Sequence, residues 1–120
     1  MLAVFDGHND ALTCDDHELL VAGRPGGHLD LPRMRAGGIR GGIFSVFVAS
    51  PDGSHERPEP VEHELAAEQA ARVAGRLLAL ERAGAVRVAR GVSDLDAFGG
   101  DGAPISVMHL EGAEPIDPGL

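Results

Sequence analysis

"GGIFSVFVAS", residues 41–50, decides how the rest of the chain is read. Ile43, Phe44, Val46, Phe47 and Val48 fall on both parities of the run, so a strand here has two apolar faces. A strand at a solvated sheet surface would alternate apolar with polar residues; one covered on both sides belongs to a parallel sheet flanked by helices. The segments around it agree. Leu2 to about His8 reads as a strand before it, "AVRVAR" (85–90) as a shorter third, and "PISVMHLEG" (104–112) as a fourth that opens after Pro104 and closes at Gly112.

Between the second and third strands, Leu65, Ala66, Val73, Leu77 and Leu80 recur at helical spacing across Val61–Ala83. Glu62, Glu64 and Glu68 lie near the start and Arg72, Arg76 and Arg82 later, as the helix dipole favours, and Gly84 is a stop. Shorter helices are expected at "DDHELLVA" (15–22), with Thr13 as cap and Gly23 as end, from Pro32 to "AGG" (36–38), and as one turn capped by Ser93 in "SDLDAF". "SPDGSHERPEP" (50–60) is a polar loop. This βα alternation predicts an α/β fold with a parallel sheet, either doubly wound or the first half of a (β/α)₈ barrel.

Composition narrows the function. With 120 residues, 43% of them hydrophobic, the chain can make one globular domain. A net charge of -9, no basic stripe and no Trp or Tyr argue against nucleic acid as a partner. All ten basic residues are Arg, so no lysine is at hand as a Schiff-base former or modified metal ligand. Cys14, the single cysteine, rules out an internal disulfide and fits a reducing compartment. There is no signal-peptide pattern and no apolar run near the length of a membrane span, so a cytoplasmic location is expected.

The chemistry gathers at strand ends. In "FDGHND" (5–10), His8 and Asp10 lie two apart, so on a strand they share a face and can reach one metal ion, with Asp6 on that face one step deeper. Imidazole beside carboxylate suits a zinc-like ion. Glu111 ends the fourth strand in the same way, and two strands of one parallel sheet bring all three groups to the same rim, where two metals bridged by one carboxylate can form. His109 shares the face of Glu111 and is expected as a core histidine. The second His-x-Asp, "HLDLP" (28–32), precedes Pro32, and Asp30 is there a helix-start residue rather than a ligand. Arg33 and Arg35 are expected on a solvated or ion-paired helix face. His17, His55 and His63 are expected at the surface, Cys14 as a small buried thiol and Glu114 as a loop carboxylate. The Gly pairs at 37–38 and 41–42 precede a strand without a following Gly-Lys-Ser/Thr, so they serve close packing and not phosphate binding.

"FDGHND", "HLDLPRMRAGGIRGGIFSVFV" (28–48) and "HLEGAEPI" (109–116), in this order and at these distances, resemble the N-terminal part of the membrane dipeptidase (renal dipeptidase) family, binuclear zinc peptidases among the amidohydrolase-like barrels. The resemblance covers nearly the whole chain. It implies about four βα units from the N-terminal part of a metal-dependent hydrolase (β/α)₈ TIM barrel, so that residues 1–120 are an incomplete single domain, inactive alone. It implies that His8 and Asp10 bind one zinc, that Glu111 bridges two zincs as the catalytic carboxylate, and that the complete enzyme hydrolyses dipeptides, tolerating a D-residue at the C-terminal position. The other ligands, the acid/base group and the substrate-binding residues would lie on later strands. One departure is Gly42, where the family commonly has a bulky or amide residue. Two other readings stand beside this one. A cyclic-amide or acylated-amine hydrolase of the same barrel type usually opens with His-x-His and uses a modified lysine, whereas His8-x-Asp10 and Glu111 favour the dipeptidase. A non-catalytic metal-binding module would have to self-associate to cover its edges; a homodimer is open under either reading.

Overall fold

The computed structural model describes residues 2–53 and 59–120. The polar loop is seen as Ser50–Gly53 and again from Glu59, and His55 lies outside the described residues. Four strands, β1 (Val4–Asn9), β2 (Ile39–Phe47), β3 (Arg87–Val88) and β4 (Ile105–Glu111), form one parallel sheet, with helices α1 (Leu31–Ala36) and α2 (His63–Arg82) between them. Two 3₁₀ segments, His17–Leu20 and Val92–Ala97, stand where short helices were expected.

The sheet order is β1-β2-β4-β3, so β4 and not β3 lies beside β2. Ladder length explains the choice. Gly41–Phe47 pairs with Ile105–Glu111 residue for residue, while β3 meets only Ile105 and Ser106 at the sheet edge. The expected third strand, 85–90, is mostly used otherwise: Ala85 and Val86 are buried in the core, and the Arg90 guanidinium pairs with Glu81 near the end of α2.

Alternation along β2 sorts the sheet into two faces. Phe44, Val46 and Val48 join a core with Leu12, Leu20, Leu31, Met34 and, from α2, Ala66, Ala70, Val73 and Leu77. Burying this apolar surface is the main favourable term in the fold, and truncating a wholly buried leucine such as Leu77 costs about 2–5 kcal/mol. Leu65, expected on that stripe, is 45% exposed, because the contact with the sheet runs through the small Ala66 and Ala70 one position round the helix. The other face carries Ile43, Ser45 and Phe47 opposite Val107, His109 and Glu111 in register.

α1 begins where the sequence expects, on Asp30, whose Oδ1 accepts the Arg33 N–H at 2.8 Å, with Pro32 in the first turn. Gly38, buried and at φ 78°, makes the left-handed step that turns the chain into β2, which a side chain would oppose. Two caps differ from expectation. Thr13 turns its hydroxyl back to the Asp10 carbonyl (2.9 Å), so the segment after it starts at His17 without a side-chain cap. Asp94, not Ser93, caps the second segment, its Oδ2 accepting the N–H groups of Arg90 (2.8 Å) and Gly91 (3.0 Å), since a carboxylate is the stronger acceptor. No helix among the described residues is long and apolar enough to cross a membrane.

Candidate metal centre

A bulge in β1 aims the first candidate ligand. Asp6 pairs with Gly42 and Asn9 with Phe44, three steps on β1 against two on β2, so Gly7 and His8 together oppose one residue. The extra residue shifts the alternation. Asp6 and Asn9 follow Gly42 and Phe44 to the helix-covered face, and His8 takes the opposite one. Asp6 therefore does not share the face of His8, as plain alternation predicts. Its Oδ2 accepts from Asn9 Nδ2 (2.8 Å), Asn9 donates onward to the Ile43 carbonyl (3.1 Å), and Asn9 Oδ1 accepts the Ala11 N–H (3.3 Å). Half of the polar cluster in "DGHND" thus ties down the end of the strand and half is left free for chemistry. The Asn9 amide also lies 3.4 Å from where a Cβ on Gly42 would stand, and Asp6 Cβ lies 3.1 Å from it; this is the local packing at that departure.

His8 Nε2 lies 3.2 Å from Asp10 Oδ1 and 3.4 Å from Glu111 Oε2. One ligand atom from each of the three residues falls within 4.8 Å of the others. β1 and β4 are not neighbours, so this convergence spans the top of β2, where Glu111 stands in register with Phe47. Side-chain exposures of 45% for His8, 58% for Asp10 and 40% for Glu111 leave the donors accessible from solvent.

Beneath Glu111 lies a residue that the sequence reading passed over. Ser45 is wholly buried, and its Oγ donates to Glu111 Oε2 at 2.6 Å. The available signal was its being the one polar residue in the apolar run 43–48. His109 also differs from expectation: it is exposed and not in the core, on the face of Glu111, its ring centroid 6.0 Å from that of His8 in an edge-on arrangement. Cys14 is a half-buried thiol whose Sγ lies 3.5 Å from the Asp10 carbonyl, outside the group of three.

The other His-x-Asp pair is structural. Asp30 is 1% exposed and accepts N–H groups from Arg33 (2.8 Å) and Arg24 (3.0 Å) besides pairing with the Arg33 guanidinium, while His28 is exposed. Those backbone donors, Arg33 first, hold the Asp30 carboxyl below the usual range. Arg33 is ion-paired, as expected of that helix face. His17 and His63 are half-buried and not fully exposed, with Nδ1 atoms 3.0 Å from the Cys14 carbonyl and 3.1 Å from the Glu114 carbonyl.

One imidazole nitrogen and two carboxylate oxygens on one accessible rim are a donor set suited to a divalent metal ion, and a cation would offset the mutual repulsion of the two carboxylates. A cleft of about 640 Å³ adjoins the set, lined by Phe47, Val61, Glu59, Glu111 and Glu114 among others. The residues present fit a metal site.

Solved structures similar to this chain are metallopeptidases. The metallopeptidase dipeptidase AC matches with a TM-score of 0.81 and 39% identity over 96% of this chain, which is 36% of that protein. A metallopeptidase from Rhodobacter sphaeroides, liganded with a phosphinate mimic of the dipeptide L-Ala-D-Ala, matches with a TM-score of 0.80 and 37% identity over 96% of this chain and 39% of its own. An uncharacterized protein of the PQQ-III 3' region of Acinetobacter calcoaceticus is 44% identical over 54 residues, 39% of this chain and 17% of that protein. The chain thus spans little more than a third of either solved structure, and those dipeptidases have the TIM-barrel fold. The sequence model of the membrane dipeptidase family matches residues 1–120 throughout, so the chain belongs to that family of metallopeptidases, peptidase family M19.

Proposed function

We propose that His8, Asp10 and Glu111 are zinc ligands of a binuclear metallodipeptidase, to which this chain contributes part of the centre. The observation that carries the reading is the meeting of three ligand atoms, from the ends of two non-adjacent strands, within 4.8 Å on one rim of the sheet. His8 would offer the lone pair of a neutral Nε2, and Asp10 one carboxylate oxygen, to the first ion. Glu111, whose Oε2 faces His8, would serve both ions. Bound there, zinc supplies Lewis-acid charge that acidifies water near neutral pH and polarises a carbonyl. The accessible rim leaves room for a small substrate to reach these ligands, and the cleft next to Glu111 offers a partly apolar wall to its side chains. That the substrate is a dipeptide is supported by the relative that binds an L-Ala-D-Ala mimic. The remaining ligands and the acid/base group would come from other strands of the barrel, so residues 1–120 alone are expected to be inactive.

The test is zinc content by mass spectrometry, with dipeptide hydrolysis, on the full-length protein and its His8→Ala variant. Two zincs per chain in the parent, with zinc and activity falling together in the variant, are expected. A variant that keeps both zincs and full activity sinks the assignment.

A further inference from the structure

We infer that Ser45 is a positioning residue that holds the Glu111 carboxylate in its metal-bridging orientation; the inference rests on the ligand reading of Glu111. Ser45 occupies the middle of β2 on the face where its register partner is His109, and it reaches diagonally to the next residue of that face on β4. Its Oγ is 2.6 Å from Glu111 Oε2, a contact between residues 66 apart in sequence, and Ser45 itself is wholly buried. Water is thus kept from competing for the hydroxyl, and a charge-assisted bond of this length is among the stronger hydrogen bonds a neutral donor makes.

Glutamate has three rotatable side-chain bonds, and an accessible one samples many rotamers. A donor fixed from below removes most of them. Each carboxylate oxygen has two acceptor sites. Ser45 takes one on Oε2, which leaves the second directed towards His8, 3.4 Å away, and both sites of Oε1 available. Glu111 can then bridge without giving up its anchor.

Packing alone does not call for a hydroxyl in this place. The neighbours along the same face of β2 are Ile43 and Phe47, and an alanine or valine would fill the run as well. Ser106 of β4 supplies the contrast: it is equally buried, yet its hydroxyl has no hydrogen-bond partner among the described residues. A buried serine in this sheet therefore does not automatically find a partner, and the one beneath Glu111 does.

The experiment uses full-length protein stripped of metal and titrated with zinc against a chromophoric chelator, comparing the parent with Ser45→Ala, Ser45→Thr and Ser45→Val. Partners that orient metal ligands typically contribute roughly 10–100-fold to metal affinity. Ser45→Ala and Ser45→Val should weaken zinc by that factor, and Ser45→Thr, which keeps the hydroxyl, should restore it. Thr and Val have nearly the same shape, so their difference isolates the hydroxyl even where Ala folds poorly. A serine that only packs would instead shift the melting temperature of the metal-free protein and leave zinc affinity alone. Equal zinc affinity in parent, Ala and Val overturns the role of Ser45 while the metal centre stands. A parent that takes up no zinc overturns both.

Discussion

The two His-x-Asp pairs, His8-x-Asp10 and His28-x-Asp30, have the same chemistry in sequence and opposite fates in the fold. Asp30 is consumed by its surroundings: two backbone N–H groups and a guanidinium saturate its carboxylate in the interior. Asp10 lies past the end of β1, 58% exposed, and its nearest partners are two other potential ligands. A carboxylate ligates a metal when the protein around it leaves its lone pairs unspent, and the motif alone does not say whether it will.

The largest effect that can break this comparison comes from exchanging the two aspartates for alanine in the full-length protein. Asp10→Ala removes a proposed ligand, and since residues that merely orient ligands contribute 10–100-fold, zinc affinity and activity should fall by roughly 100-fold or more. The metal-free melting temperature should hardly move, because the side chain is exposed. Asp30→Ala should do the reverse. It removes the α1 cap and leaves the buried Arg24 N–H and the part-buried Arg33 N–H short of an acceptor, so the melting temperature should drop by roughly 5 °C or more with zinc stoichiometry retained. Loss of zinc in Asp30→Ala with its stability unchanged would erase the distinction.

Much of this contrast is legible without coordinates. Asp30 before Pro32 reads as a helix start, and β2, β4 and α2 announce themselves through apolar runs and helical periodicity, because burial on one or two faces writes directly into residue order. His8, Asp10 and Glu111 stand out as polar residues at strand ends. What stays hidden depends on pairing. The bulge at Gly7 and His8, which turns Asp6 away from His8, exists only relative to β2. The position of β3 outside β4 is set by which ladder is longer, and the exposure of Leu65 by how closely Ala66 and Ala70 approach the sheet. Ser45 draws no notice in the sequence until Glu111, on another strand, is placed above it.

Acid gives an intermediate effect that sharpens the distinction between saturated and unspent carboxylates. Glu81 accepts from both terminal nitrogens of the Arg90 guanidinium and from the Val88 N–H, and the Arg90 bond foremost lowers its pKa from 4.5 to about 2. Between those values the unfolded chain binds more protons than the folded one, so stability rises with pH there. The contribution is complete above about pH 4.5 and disappears as pH falls towards 2. Asp30, also depressed, acts in the same direction from its ordinary 3.8 downwards. Glu81→Gln should therefore flatten the acid limb of a melting-temperature profile and change nothing near neutrality beyond a constant offset. An unchanged slope between pH 4.5 and 2 would show that the bond to Arg90 does not persist in solution.

The smallest effect concerns the two buried serines. Ser106 sits on the helix-covered face of β4, in register with Gly42 of β2, with an Oγ that has no partner among the described residues. A buried hydroxyl without a partner costs about 1–3 kcal/mol relative to one that is satisfied, and the methyl group of alanine fits the space without that cost. Ser106→Ala should accordingly leave zinc affinity untouched and raise stability by up to about 1 kcal/mol in chemical denaturation, with the slope on denaturant unchanged. A clear loss of stability would mean that Ser106 does find a partner in solution, and the contrast with Ser45 would have to rest on what each hydroxyl holds: in one case a stretch of backbone or a water molecule, in the other the carboxylate of a proposed metal ligand.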